Sequence, residues 1–170
     1  NNSANIEGTY SSGNTVNIIK QKGSATVDQA NITIYKVDGK DYSVRLQNAE
    51  FKLEAYQNGT WTVTNVNLNN SNVNGSYNSE SERYVTGSEG YLKFDVDTDS
   101  KHPNPNKLQP NTIYRLTETK APSGYKINEN PYYFVLLKDK TESDFKNTEP
   151  LNNVKNVYFF DTGKAVSMTV

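Results

Sequence analysis

The fold is decided by the stretch Tyr114-Arg-Leu-Thr-Glu118-Thr-Lys-Ala121-Pro-Ser-Gly-Tyr125. In a β-strand, alternate side chains point to opposite faces, so Tyr114, Leu116 and Glu118 share one face. The apolar pair marks that face as the core side, which directs the Glu118 carboxylate inward. The Ala-Pro-Ser-Gly-Tyr element ends the strand, because proline cannot donate to a ladder and glycine supplies turn geometry. A glutamate on the core side is costly unless a nearby group compensates it.

The sequence offers Lys36 as the compensating partner. It lies in Ile32-Thr-Ile-Tyr-Lys36-Val-Asp38, an alternating segment rich in β-branched residues that predicts a strand. Ile32, Ile34 and Lys36 share a face, so the ammonium group is also directed toward the core. Two opposite ionisable groups, each on the apolar face of its own strand, predict a buried pair between Lys36 and Glu118.

Alternating segments separated by turn clusters continue along the rest of the chain, and none shows a long helical period. This pattern predicts an antiparallel β-sandwich. The predicted strands are residues 32–37, 51–56, 60–66, 91–96, 113–118, 132–137, 157–160 and 165–170. The predicted core face includes Ile32, Ile34, Phe51, Leu53, Leu92, Phe94, Tyr114, Leu116, Phe134 and Leu136.

The chain is expected to contain one domain and an N-terminal segment. Residues 1–27 are rich in Asn, Ser and Gly, with one possible strand at residues 15–19, and form either a linker or the end of a preceding domain. Residues 28–170 form the sandwich. A polar insertion or a long flexible hairpin is expected around residues 67–88, and a second polar connection covers residues 139–153.

Composition limits the classes of function. The 170-residue chain is long enough to bury a core, and its 12 Tyr and 6 Phe favour strands over helices. Its 18 basic and 19 acidic residues form no basic stripe, so nucleic acid is not an expected partner. No apolar run approaches membrane-spanning length, so membrane insertion is not expected either.

Metal sites and common catalytic constellations are also disfavoured. The chain has no cysteine and a single histidine, His102, in a proline-rich loop. Cysteine-ligated zinc, thiol nucleophiles and a triad with another histidine are therefore unavailable. Asp95, Asp97 and Asp99 have the opening spacing of a calcium loop, but Ser100 stands where that loop needs glycine. We expect no metal and no cofactor.

Further landmarks surround the two strands that carry the ionisable pair. Leu46-Gln-Asn-Ala49-Glu-Phe51-Lys-Leu53 follows the first strand, and residues 86–94 and 108–110 precede the second. With Ile-x-Ile-x-Lys-Val-Asp and Tyr-x-Leu-x-Glu-Thr-x-Ala-Pro-x-Gly-Tyr, they make roughly residues 28–170 resemble the Cna-B-type domains of Gram-positive adhesins and pilins. Asn48 stands where that family has glycine. The resemblance implies an all-β Greek-key sandwich of the prealbumin-like, inverse-immunoglobulin kind.

The Lys36–Glu118 pair has two interpretations. A buried ion pair would stabilise the fold weakly, because desolvation offsets most of the attraction. Alternatively, burial disfavours the charged form of both groups, which places an amine nucleophile beside a proton donor. The amine could then attack an asparagine amide, with Glu118 as the proton shuttle. Similarity to the Cna-B family favours this reaction, which makes one isopeptide crosslink without turnover, so we do not expect an enzyme.

The resemblance implies an Asn or Asp acceptor on the final strand, facing inward beside the first strand. In Ala165-Val-Ser-Met-Thr-Val170, Val166, Met168 and Val170 form the apolar face. The next inward side chain would stand two positions after Val170. Asn156, whose Val-Lys-Asn sequence mimics the family's Val-x-Asn ending, is the fallback within the chain. We expect Lys36 and Glu118 to lie close together without an in-chain bond.

The implied function is that of a structural stalk or backbone domain of a pilin or adhesin, stiffened by the crosslink. Its partners would be neighbouring domains or pilin subunits, and sortase would attach the protein to the cell wall of a Gram-positive bacterium, outside the cell. A second hypothesis is an adhesin tip module that binds a host glycan or protein through its long loops. In that case, Trp61 and the tyrosines could stack on a sugar.

Overall fold

The computed structural model describes residues 5–10, 16–22, 30–69 and 74–170. No helix among these residues has the length and apolarity needed to cross a membrane. The elements in chain order are β1 (Asn5–Tyr10), β2 (Val16–Lys22), β3 (Asn31–Tyr35), β4 (Glu50–Gln57), β5 (Thr60–Val63), β6 (Ser76–Asn78), β7 (Arg83–Val85), β8 (Tyr91–Asp95), β9 (Ile113–Lys120), β10 (Tyr132–Leu137), α1 (Ser143–Lys146), β11 (Val157–Asp161) and β12 (Ala165–Thr169).

The strands form two sheets. The larger sheet has the order β1-β2-β11-β10-β9-β4-β7-β6, with β5 also paired to β4. The smaller sheet has the order β12-β3-β8. Side chains from both sheets belong to one buried cluster, so the sheets pack face to face around a common core. The predicted all-β sandwich is confirmed.

Three strand pairs run parallel, which differs from the predicted antiparallel arrangement. β10 pairs in this way with β11, β11 with β2, and β12 with β3. Parallel neighbours need a long crossover, and residues 138–156 supply it between β10 and β11. The antiparallel prediction was wrong for these pairs because the relative direction of two strands depends on the path of the connection between them. The polar composition of a connection does not reveal that path.

Eight strands agree with the prediction to within a few residues at their ends: β3, β4, β5, β8, β9, β10, β11 and β12. The sequence does not predict the individual strands β6 and β7, although they form a hairpin inside the polar segment 67–88, where a hairpin is one of the two expectations. Each has three residues, too few to show a period of two. Residues 70–73 of that segment lie outside the described residues. The role of residues 1–27 as a linker or preceding domain stays a prediction.

The predicted core face is confirmed. Tyr114 and Phe134, cross-strand neighbours on β9 and β10, stack with ring centroids 5.3 Å apart. Such aromatic pairs add to the stabilisation that burial alone provides. None of the predicted core side chains is more than 2% exposed: Ile32, Ile34, Phe51, Leu53, Leu92, Phe94, Tyr114, Leu116, Phe134 and Leu136.

The outer face of the large sheet carries a second apolar cluster. Ile113 of β9 and Val135 of β10 are cross-strand partners, and they pack with Phe145 of α1 and with Leu151. The polar connection 139–153 therefore contributes two apolar side chains that cover part of this face. Ile113 is buried for this reason, although it lies on the face opposite Tyr114.

Candidate functional site

Lys36 and Glu118 meet at one end of the core. The Lys36 Nζ atom lies 3.5 Å from Glu118 Oε1. The two side chains are 11% and 2% exposed, respectively. Both groups therefore point inward on the faces that the strand alternation predicts, and the structure brings them into direct contact.

The backbone of Lys36 is held on two sides. Its N–H donates to the carbonyl of Gly90 at 2.9 Å, and its carbonyl accepts the N–H of Leu46 at 2.8 Å. Gly90 has a φ of +74°, and a Cβ at this position would lie 2.7 Å from the Leu46 nitrogen. Glycine at position 90 therefore permits the close backbone approach that fixes Lys36.

The two carboxyl oxygens of Glu118 have different contacts. The residue lies in β9, opposite Phe51 of β4. Oε1, which contacts Lys36, also accepts the backbone N–H of Asn128 at 3.1 Å. Oε2 is buried and has no hydrogen-bond partner among the described residues. Buried polar atoms rarely lack a partner, so this oxygen marks a place where chemistry or a further ligand is expected.

The loop that follows β9 is anchored beside the pair. The Asn128 side-chain amide donates to the Tyr132 hydroxyl at 3.1 Å. The pKa of Tyr132 is raised, first because burial disfavours its phenolate and second because the Glu118 charge opposes another negative charge nearby. Tyr132 therefore keeps its proton at neutral pH while it accepts this hydrogen bond.

A second contact joins the segments of Lys36 and Glu118 at the surface. Tyr125, the last residue of the Ala-Pro-Ser-Gly-Tyr element, donates its hydroxyl to Asp38 Oδ2 at 3.1 Å. The backbone N–H of Lys40 and then this hydroxyl lower the pKa of Asp38. The bond to Asp38 in turn raises the pKa of Tyr125. Segments 36–38 and 118–125 thus touch twice, at the buried pair and at this exposed bond.

Tyr125→Phe is expected to raise the pKa of Asp38 toward its ordinary value, because one donor to the carboxylate is lost. The Asp38–Tyr125 contribution to stability is present above the ordinary Asp pKa and is lost as pH falls through the lowered one. A ¹³C NMR titration of the Asp38 carboxyl measures the change. Tyr42→Phe, which changes an exposed tyrosine in the loop that contains Asp38, is the matched control. An unchanged Asp38 titration in Tyr125→Phe would contradict the hydrogen bond.

A groove of about 530 Å³ opens beside Lys36. Val170, at the end of β12, lines the groove and continues the ladder with β3. Its N–H donates to the Tyr35 carbonyl at 2.8 Å, and its carbonyl accepts the Val37 N–H at 3.1 Å. The remaining lining includes polar and aromatic side chains: Tyr42, Tyr125, Asn128, Tyr132 and Tyr158.

Other residues singled out from the sequence lie elsewhere. Asn156 is exposed, immediately precedes β11, and is not among the residues that line the groove. Asp97 accepts the backbone N–H groups of Asp99 and Asn104, so its carboxylate organises the loop after β8. His102 is exposed and contacts Asp99.

An ionic cluster on the outer face of the large sheet was missed by the sequence analysis. The carboxylate of Glu54, a residue only 6% exposed, accepts two bonds from the Arg115 guanidinium, at 2.7 and 3.1 Å. Burial acts to raise the pKa of Glu54, but the bonds and charge of Arg115 outweigh it, so this pKa lies below its ordinary value. The two residues are 61 positions apart, and no local pattern links them.

Trp61 belongs to the same cluster. The Arg115 guanidinium lies 4.2 Å from the centre of the Trp61 ring, and the rings of Tyr56 and Tyr133 pack against Trp61 at centroid distances of 5.2 and 5.9 Å. These contacts within the domain explain the position of the Trp61 ring, so they give no support to the hypothesis that it stacks on a sugar.

Comparison with known proteins identifies relatives of this fold. A family model described as SpaA, prealbumin-like fold domain, matches residues 30–149. A search of curated proteins finds no match. Among solved structures, the group B streptococcus pilus 2b backbone protein is 21% identical, with a TM-score of 0.40, over 87% of this chain and 50% of that one.

Two further solved structures give similar values. A 35 kDa C-terminal fragment of the major pilin GBS80 of Streptococcus agalactiae is 17% identical, with a TM-score of 0.46, over 85% of this chain and 48% of the other. BcpA, the major pilin subunit of Bacillus cereus, is 18% identical, with a TM-score of 0.32, over 96% of this chain and 39% of the other. The chain thus spans half or less of the length of these proteins.

The family model covers most of the chain, from the residue before β3 to the connection that precedes β11. It includes both members of the ionisable pair and the Ala-Pro-Ser-Gly-Tyr element. The chain therefore belongs to the SpaA family of prealbumin-like fold domains.

Proposed function

We propose that this chain is a structural domain of a bacterial pilus or surface adhesin, stiffened by an isopeptide bond from Lys36. The observation that carries the proposal is the buried contact between the Lys36 amine and the Glu118 carboxyl beside a groove. An ion pair in this position would add little stability, because desolvation offsets the attraction. A reactive pair gives the same two residues a role that fits a protein placed under mechanical load.

The proposed reaction joins the Lys36 amine to an asparagine side chain. The neutral Nζ attacks the amide carbon, a C–N bond forms, and the tetrahedral intermediate expels the original amide nitrogen as ammonia. Glu118 donates a proton to the carbonyl oxygen during attack and recovers it when the carbonyl re-forms. The proton lost by Nζ leaves on the ammonia. With aspartic acid as the acceptor, water leaves instead.

The position of the acceptor is proposed from the β12–β3 ladder. β12 runs parallel to β3, with Thr169 opposite Tyr35, which places Val170 beside Lys36. Val37 uses its N–H to bond Val170, and none of the described residues donates to the Val37 carbonyl. In a parallel ladder this carbonyl would accept from the residue two positions after Val170. An asparagine or aspartate there would enter the groove near Lys36.

Asn156 remains the fallback acceptor, but its exposure and its position outside the groove give it less support. Fixed geometry is essential, because a lysine attacks an amide at a useful rate only when the two are held in contact. The strand next to β3 provides such a fixed position, and the segment before β11 does not adjoin β3 in the sheet order.

The proposal also covers the location and the partners of the protein. The similar solved structures are of pilus backbone proteins and pilins, and a crosslinked sandwich is suited to such a filament. We propose an extracellular protein attached to a Gram-positive cell wall by sortase, with neighbouring domains or pilin subunits as partners. The crosslink forms once, so the domain is a structural protein and its chemistry has no turnover.

The test is the intact mass of the natural protein with its native flanking residues. We expect a mass below that of the sequence by one ammonia, or by one water for an aspartate acceptor. Tryptic digestion should then release a branched peptide that contains Lys36, since trypsin does not cleave after an acylated lysine. The full sequence mass, with Lys36 in a linear peptide, would contradict the proposed function.

A further inference from the structure

We infer that the backbone N–H of Asn128 is a positioning group that determines which oxygen of Glu118 carries the proton. The inference deepens the proposed crosslinking function and rests on it. Asn128 has no place in the sequence pattern from which the pair was predicted. Its contribution comes from the main chain, so the loop conformation, and not the side-chain type, makes it available.

The geometry around Oε1 supports this assignment. This oxygen faces two nitrogen atoms, Lys36 Nζ at 3.5 Å and the Asn128 backbone nitrogen at 3.1 Å. A backbone N–H is always a donor, so it needs an acceptor lone pair on Oε1. An oxygen without a proton offers lone pairs to both nitrogen atoms. A proton on Oε1 would compete with these contacts, whereas a proton on Oε2 would not.

The Asn128 peptide is itself held in place. Its side-chain amide donates to the Tyr132 hydroxyl at 3.1 Å, and its side-chain oxygen accepts the Asn130 N–H at 3.1 Å. Tyr132 lies on β10 opposite Leu116 of β9, two residues before Glu118. The donor is therefore tied to the same sheet that carries the carboxyl group, which keeps the N–H directed at Oε1.

The two oxygen atoms of the Glu118 carboxyl group therefore have different roles. Oε1 accepts from the amine and from the Asn128 N–H, which orients both the carboxyl and the nucleophile. Oε2, which has no partner among the described residues, is left to carry the proton. When an acceptor amide enters, this proton is transferred to its carbonyl oxygen as Nζ attacks, and it returns when ammonia leaves. No other reactant is required.

The test replaces the peptide bond before Asn128 by an ester, which removes the N–H and keeps the side chain. It is first made together with Lys36→Met, so that neither the amine nor crosslinking disturbs the Glu118 signal. We expect the infrared C=O stretching frequency of the ¹³C-labelled Glu118 carboxylic acid to rise, because the carbonyl oxygen Oε1 loses a hydrogen-bond donor while Oε2 carries the proton. Glu118→Gln identifies the signal, and Asn128→Ala, which keeps the N–H but removes the side-chain bond to Tyr132, should raise the frequency less than the ester does.

With Lys36 present, the ester should also slow the appearance of the ammonia-loss mass by about tenfold, because the proton is no longer confined to the productive oxygen. A role of Asn128 in loop stability alone would slow the reaction and leave the C=O frequency unchanged. That result would overturn the inference while the crosslink itself still formed. A natural protein that loses neither ammonia nor water would overturn the proposed function, and the C=O frequency would still decide whether Asn128 positions Glu118.

Discussion

Lys36→Arg and Glu118→Ala are each expected to abolish the proposed isopeptide bond and to lower the thermal and protease resistance of the natural protein. Arginine keeps the positive charge but cannot become a neutral amine in a protein, so it cannot attack an amide. Alanine removes the group that donates the proton. Glu118→Gln keeps the shape of the side chain without its acidic proton, and it should also prevent the crosslink.

The expected loss of stability follows from the loop that the crosslink closes. A bond from Lys36 to a residue near Val170 restricts most of the unfolded chain, which corresponds to about 5 kcal/mol on a chain-entropy argument. For a domain of this size, that loss lowers the melting temperature by roughly 10 °C. Mass spectrometry and thermal unfolding measured on the same samples would relate the bond to the stability.

Lys120→Arg is the matched control. Lys120 Nζ lies 3.7 Å from Glu50 Oε2, and this pair joins the same two strands, β9 and β4, at the surface. Lysine is replaced by arginine in both cases, but only Lys36 has the buried carboxyl beside it. The control should keep the ammonia-loss mass and the wild-type melting temperature. If Lys36→Arg or Glu118→Ala kept both as well, the assigned roles would be wrong.

The inward direction of Lys36 and Glu118 could be predicted because alternation is a local property of a strand. Once Tyr114 and Leu116 are assigned to the core, the position of Glu118 follows without knowledge of its neighbours. The same holds for Lys36 after Ile32 and Ile34. Residue types that favour strands made the eight predicted segments recognisable, and the resemblance in the motifs identified the kind of fold to which they belong.

The surroundings of the pair could not be predicted, because they depend on which loops return to the site. Asn128 reaches Glu118 through a main-chain N–H, and every residue but proline has such a group, so its identity carries no signal. Asn48, which stands where the related domains have glycine, adopts a φ of 68°. Asparagine enters this left-handed region more readily than most residues, so the turn is kept without glycine.

Pairings between distant strands were equally hidden. The β12–β3 ladder joins the last strand to one near the start of the sandwich, and nothing local to either strand sets their parallel direction. Phe145 and Leu151 lie in a segment whose average composition is polar, yet these two side chains cover the outer sheet face. Burial is decided by individual side chains and their position, which average composition does not record.

The second large expected effect is the loss of stability when the ion pair between Glu54 and Arg115 is broken. Arg115→Met is expected to destabilise the domain by about 3 kcal/mol at neutral pH, because it leaves the carboxylate of Glu54 buried without its bidentate partner. It also removes the cation–π contact with Trp61, which contributes a smaller part of the loss. Urea unfolding of the wild type and the variant measures the difference in free energy of unfolding.

The pH dependence of that loss separates the charge effect from a packing effect. In the wild type, the pKa of Glu54 lies below its ordinary value, so the ionised carboxylate stabilises the fold above the unfolded pKa of about 4. This contribution is lost as pH falls through the lowered pKa. Without Arg115, burial is left to raise the pKa of Glu54, and the carboxyl takes up a proton more readily. The difference between the two proteins should therefore be largest at neutral pH and shrink below about pH 4.

The double variant Glu54→Gln with Arg115→Met completes the cycle. It removes the buried charge together with its partner, so it should recover much of the stability that Arg115→Met loses at neutral pH. Lys52→Met is the matched control, since Lys52 Nζ contacts the same carboxylate at 3.7 Å from a more exposed position. This control should change stability by less than about 1 kcal/mol. A loss in Arg115→Met that persisted unchanged at pH 3, or that the double variant failed to reduce, would show that arginine acts there by packing and not by charge.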